Sequence, residues 1–95
     1  MNRIYIAGKV TGLPLAEVRS KFKQAEDLLR AKGWAVTNPI QIVPQGISWQ
    51  DSMRICLYHL VGCDAIYLLP DWNDSKGAQL EYTIADILTM EVIYA

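Results

Sequence analysis

The sequence predicts an α/β fold, a small three-layer sandwich around an open four-stranded parallel sheet. Three observations predict it. Short apolar runs alternate with longer segments of helical periodicity, in the order β-α-β-α-β-α-β. The runs are nearly continuous in apolar side chains, as in strands buried on both faces. The first three end at glycine or proline, residues that turn a chain or break a ladder. No repeat or linker interrupts the pattern, so residues 1–95 read as one domain. Right-handed crossovers then favour strand order 2-1-3-4.

Ile4-Tyr5-Ile6-Ala7 is the first strand, stopped by Gly8. Gly8, Gly12 and Pro14 make residues 8–14 a loop. Leu15 to Lys32 is helical: Val18, Phe22, Ala25 and Leu28/Leu29 form one stripe. Arg19, Lys23, Glu26, Asp27 and Arg30 are assigned to its polar face, and Gly33 caps the end. Trp34–Thr37 is the second strand, ended by Asn38-Pro39. Residues 40–48 read as a long loop. Ser48 caps a second helix over Trp49–Val61, with Met53, Cys56/Leu57 and Leu60/Val61 as its apolar stripe. Ala65–Leu69 is the third strand, closed by Pro70 and followed by the polar loop Asp71-Trp72-Asn73-Asp74. Ser75 caps a third helix reaching about Thr89, and Glu91–Tyr94 is the last strand.

Composition narrows the function. A net charge of -1 offers no basic footprint for polymeric nucleic acid. No apolar run approaches the ~20 residues of a membrane span, and the N-terminal apolar segment is too short for a signal peptide. Cys56 and Cys63 lack CxxC spacing and sit among apolar residues, which reads as thiols of a reducing, cytoplasmic compartment. One histidine and two cysteines argue against a structural zinc site, and nothing calls for a cofactor. His59 lies mid-helix beside Leu57, Leu60 and Val61 and reads as a surface or packing residue and not a base.

Ligands of such sheets bind beyond the carboxyl ends of the strands, near the switch between strands one and three. That edge gathers loop 8–14, the Asn38-Pro39 end, loop 70–75 and the start of the third helix. Gly8, Lys9, Thr11 and Gly12 form either an anion-binding turn or a turn that needs glycine geometry. Ser75 and Gly77 open the third helix and leave backbone amides free at the edge. Glu81 follows between one and two turns on. A lone carboxylate there is either solvated, the commoner case, or aimed into the cleft. Tyr5, Trp49 and Trp72 are aromatic candidates for the same cleft, with Trp49 better explained as a core or dimer residue. Asp71, Asp74 and Glu81 supply carboxylates suited to glycosidic-bond cleavage, one acting as nucleophile and another as acid. Asp64 precedes its strand and belongs to the opposite edge.

Ile4-Tyr5-Ile6-Ala7-Gly8, Cys63-Asp64-Ala65-Ile66-Tyr67-Leu68-Leu69-Pro70, Trp72 and Ser75-x-Gly77-Ala78-x-x-Glu81 together resemble the nucleoside 2-deoxyribosyltransferase-like superfamily. Within it they look most like a small branch of bacteria and their phages. The resemblance covers nearly the whole chain and implies a flavodoxin-like or Rossmann-like sheet. It implies cleavage or exchange of the N-glycosidic bond of a deoxynucleoside or its 5′-monophosphate through a glutamate nucleophile and a ribosyl-enzyme ester. Glu81 matches that nucleophile, which favours the cleft orientation. Ser75 and Gly77 match 5′-phosphate positions, and Tyr5 and Gly8 match the first-strand lining. Lys9, Gly12 and Trp72 complete the expected substrate contacts. Members are generally homo-oligomers.

One departure stands out. Where many relatives carry an aspartate on the second helix, this chain has Cys56, within Met53-Arg54-Ile55-Cys56-Leu57. A thiol replaces a carboxylate poorly. Asp71 or Asp74 takes over, or catalysis is weak, or the protein only binds its nucleotide. Finally, Trp49, Ile55, Tyr58 and Ile87 exceed what the helices need for core stripes. They predict a homodimer interface on the second and third helices.

Overall fold

A computed structural model of the chain describes residues 2–95. It has strand β1 (Arg3–Ala7), helix α1 (Leu15–Ala31), strand β2 (Ala35–Thr37) and a short helix α2 (Pro39–Ile42). Helix α3 (Trp49–Leu60), strand β3 (Ala65–Leu68), helix α4 (Lys76–Ile87) and strand β4 (Glu91–Tyr94) follow. A 3-10 turn, Trp72–Asp74, leads into α4. The sheet has four parallel strands in the order β2-β1-β3-β4, the flavodoxin/Rossmann-like arrangement that the sequence predicts.

Alternation along β1 divides the core into two layers. Ile4 and Ile6 pack with Val18, Phe22, Ala25 and Leu29 of α1. Tyr5 and Ala7 pack with Cys56 and Leu60 of α3 and with Ala78 and Ala85 of α4. Both faces of β1 and β3 are therefore buried, which is why their sequences are apolar runs. β1 lies between β2 and β3, so the loops after β1 and β3 leave the sheet side by side.

The caps hold as expected. Ser48 Oγ accepts from the Asp51 amide at 3.0 Å, and Ser75 Oγ accepts from the Ala78 amide at 3.2 Å. At the end of α1, Gly33 takes a φ of 95°, and Trp34 donates its amide to the Leu29 carbonyl at 3.1 Å. α4 ends at Ile87, before the expected Thr89, because Thr89 itself turns the chain with a φ of 55°.

Two expectations need correction. The predicted loop 40–48 begins with α2, where Pro39 fixes the first helical φ and the Asn38 side chain accepts from the Ile40 amide at 3.0 Å. Glu26 does not lie on a solvated face. It is buried against the start of α2, where Arg30 Nε of α1 and Asn38 Nδ2 and Gln41 Nε2 donate to its carboxylate at 2.8, 3.2 and 3.1 Å.

No helix among the described residues is long and apolar enough to cross a membrane. Tyr58 and Ile87 are 75% and 70% exposed, while Ile55 is half-buried. Asp64 accepts from the Arg3 amide at the amino-terminal edge of the sheet, and His59 packs edge-on against the Tyr58 ring.

Candidate functional site

At the carboxyl ends of β1 and β3 lies a cavity of about 630 Å³. It is bounded by the loop after β1, the α2 segment, the first two turns of α3 and the start of α4. This is the switch-point edge, and the loops gathered there are those the topology requires.

Glu81 forms part of its lining. The side chain is only 6% exposed, and Tyr5 donates its hydroxyl to Glu81 Oε2 at 2.5 Å. Tyr5 points this way because odd-numbered positions of β1 face α3 and α4. The cleft orientation of Glu81 is thus the observed one, and the solvated alternative is excluded. Burial drives its carboxyl up from the ordinary 4.5 to about 7, with the Tyr5 hydrogen bond pulling the other way. Burial, and then the Glu81 charge, hold the Tyr5 phenol well above its usual range, so it remains a donor at neutral pH.

Cys56 lines the same cavity and is buried beside Tyr5. Burial pushes its thiol up to about 11. It stays protonated at neutral pH.

The expected ligand contacts divide. Gly8, Lys9, Ser75 and Gly77 line the cavity with Tyr5. The reason for glycine at Gly8 is packing: a Cβ there would meet Leu69 Cδ1 at 2.6 Å. Gly12 has a φ of 87° and serves its turn, outside the cavity lining. Trp72 is also off the cavity. It packs half-buried against Tyr82 and Tyr94, with ring centroids 4.9 and 6.4 Å away.

The two aspartates also separate. Asp74 is at the rim, paired with Lys9 Nζ at 2.5 Å. Asp71 is not among the lining residues and acts as a tie between loops. It accepts from the Lys9 amide at 3.0 Å and from Lys21 Nζ at 2.5 Å. Burial works to raise its pKa, but these two donors outweigh it, and the carboxyl sits below its usual range. A carboxylate held ionised in this way is a poor proton donor to a leaving group.

Several lining residues did not figure among the sequence candidates. Arg19 of α1 and Lys76 of α4 add positive charge at the cavity, and neither forms an ion pair among the described residues. Lys76 lies between the candidates Ser75 and Gly77, whereas Arg19 carries no sequence signal beyond its helix position. Trp49, a cleft candidate that the sequence explains better as a core or dimer residue, is a lining residue, with Lys76 Nζ 4.8 Å from its ring centroid. No cluster of three or more His, Cys, Asp and Glu suited to a metal occurs among the described residues.

The chain belongs to a family described as a domain of unknown function (DUF4406), whose model matches residues 2–94. No curated protein matches it. Among solved structures, its fold is similar to that of a 2-desoxiribosyltransferase from Leishmania mexicana, with a TM-score of 0.77 at 17% identity. The match covers 99% of this chain and 63% of that one, so the chain spans less than two thirds of its structural neighbour.

Proposed function

We propose that this DUF4406 protein binds a deoxynucleoside or its 5′-monophosphate in the cavity and breaks the N-glycosidic bond with Glu81 as nucleophile. The observation that carries the reading is a buried glutamate lining a cavity, held by one phenol and titrating near 7. An Oε of Glu81 attacks C1′ of the sugar. The C1′–N bond breaks, its electron pair leaves with the base, and the base takes up a proton from water. The ribosyl ester is then attacked at C1′ by water, giving the free sugar, or by a second base, giving exchange. Tyr5 orients the carboxylate. Arg19, Lys76 and the first-turn amides of Lys76 and Gly77 suit an anionic 5′ group, with Lys9 shared between that group and Asp74, which favours the monophosphate. The site residues carried forward are Glu81, Tyr5, Gly8, Lys9, Ser75 and Gly77. Asp74 remains as a rim carboxylate.

The resemblance and the fold support reading residues 1–95 as one nucleoside 2-deoxyribosyltransferase-like domain of a bacterial or phage branch. Free thiols at Cys56 and Cys63 support a cytoplasmic setting. The exposed Tyr58 and Ile87 support a homodimer built on α3 and α4.

Incubation with the deoxynucleosides and their monophosphates, followed by chromatography for free base, tests the activity. Release that disappears in Glu81→Gln is the expected result. Release from none of them, or release unchanged by the substitution, removes the proposal. Cys56 favours a second reading, a nucleotide-binding module without turnover, because its neutral thiol cannot serve as a carboxylate. That reading expects thermal stabilisation by a ligand with no base released.

A further inference from the structure

The cavity is chemically two-part. Its charged lining comes from the loop after β1, from α1, from the 3-10 turn and from the first two turns of α4: Lys9, Arg19, Asp74, Lys76 and Glu81. The lining from residues 39–53 is different. It presents Pro39, Ile40, Val43, Pro44, Trp49 and Met53, with Gln45 and Ser52 as its polar members. Gln45 is an exposed residue of the turn before α3, and Ser52 offers a single rotatable hydroxyl.

A nucleotide is two-part in the same sense, with a charged sugar-phosphate and a flat base. Accepting the proposed function, the geometry points to the 39–53 wall as the base subsite, with Trp49 as its stacking platform, recognising flat apolar surface and not the hydrogen-bonding edge. Two contacts fix that platform. The Lys76 ammonium lies 4.8 Å from the Trp49 ring centroid. From the first turn of α4, a Cβ on Gly77 would lie 3.8 Å from Trp49 Nε1 and 3.1 Å from Met53 Sδ. Glycine at 77 thus makes room for the Met53 thioether, and the Trp49 indole packs at ordinary contact distance from the first turn of α4.

The side chains of the wall lack what edge recognition needs. Reading a base edge takes fixed amides or carboxylates in pairs, and rejection comes from leaving them unpaired. Such sites discriminate by about 10⁴–10⁵, whereas apolar pockets discriminate by roughly 10–200-fold. Here no Asn, Asp or Glu is offered between residues 39 and 53 in the lining, and Gln45 has no buried surroundings to fix it. Affinity should follow the flat area of the base, so purines should rank modestly above pyrimidines, with all four within about tenfold.

The test is calorimetric titration of Glu81→Gln, to prevent turnover, with the 5′-monophosphates of the four natural deoxynucleosides and of benzimidazole deoxyriboside. The last has the shape of a purine without its edge groups. The natural ligands are expected within about tenfold of each other, and the benzimidazole compound within about tenfold of the adenine one. Adding Trp49→Ala should weaken all five by roughly tenfold or more and about equally, while Trp49→Phe, which keeps a stacking ring, should restore most of the loss. A loss of about a thousandfold or more for benzimidazole, or a spread that large among natural bases, overturns the inference. It leaves the activity standing if the wild-type protein releases base. Equal binding without release by the wild type supports the subsite and removes the activity. Binding of no ligand in the set overturns both.

Discussion

Two glutamates are buried to nearly the same extent, Glu26 under α1 at 5% exposure and Glu81 under α4 at 6%. They titrate in opposite directions. Glu26 accepts from Arg30, Asn38 and Gln41, and its carboxyl lies below the usual range, chiefly through the Arg30 bond. Glu81 has one neutral donor, no cation in hydrogen-bonding contact, and a carboxyl raised to about 7 by burial. The first is a structural carboxylate whose desolvation is offset by its partners. The second is left uncompensated beside an open cavity, an arrangement that opposes stability and favours reactivity. Burial alone does not distinguish the two; the donor count and the neighbouring cavity do.

The largest expected effect separates them on activity. Glu81→Gln should lower base release by at least about 10³-fold, as loss of a nucleophile does. It should also leave the thermal midpoint unchanged or raised at pH 8, since a desolvated charge is removed. Unfolding scans beside the release assay check both. A variant that loses stability and keeps activity would invert the roles assigned to the two residues.

Acidity gives the next largest contrast. If attack needs the ionised Glu81, kcat/KM should fall about tenfold per pH unit below the apparent pKa near 7. The stability terms run oppositely. The folded pKa of Glu81 lies above the ordinary 4.5, so its contribution is full below about 4.5 and is lost as pH rises through about 7. The folded pKa of Glu26 is lowered, so its contribution is present above the ordinary value and is lost as pH falls through the folded one. Denaturant unfolding across pH 3–9 in the wild type and each glutamine variant would show the two limbs separately. Replacing Glu81 should flatten the limb between about 4.5 and 7, and replacing Glu26 the limb below it.

Glu26→Gln is a smaller and purely structural test. Both oxygens of Glu26 accept, so an amide must aim its own donors either at Arg30 or at Asn38 and Gln41. The expected cost is roughly 1–3 kcal/mol, with the pH profile of activity unmoved. A shift in that profile would mean that the α1 carboxylate is coupled to the cavity after all.

Sequence made the strands, both serine caps and the switch-point edge legible, because each rests on local pattern. Glu81 was harder. Helical spacing left it solvated or in the cleft, and only the resemblance tipped the choice that Tyr5 fixes in the structure. Glu26 was misread by its charge, although it is four residues after Phe22 and three before Leu29 and so shares the apolar stripe. Trp72 was drawn to the cleft by its polar loop. Its actual partner Tyr94 comes from the far end of the chain, which no local pattern reveals. Residues 39–42 are too few for periodicity to mark a helix, and so the apolar wall they begin stayed hidden in a predicted loop.

The smallest expected effect concerns Cys56, the neighbour that Glu81 has and Glu26 lacks. Its thiol, pushed to about 11, is neutral at the pH where Glu81 is ionised, so it neither competes for the proton nor supplies a charge. Cys56→Ala should therefore leave base release within about threefold of the wild type, a loss attributable to packing alone. Cys56→Asp makes the opposite change, placing a second carboxylate in the cavity with Glu81. Like charges disfavour joint ionisation, so the apparent pKa in the rate profile should climb above the wild-type value. Loss of activity in the alanine variant, with stability retained, would show that the thiol itself takes part. The uncompensated character of Glu81 would then no longer account for the site by itself.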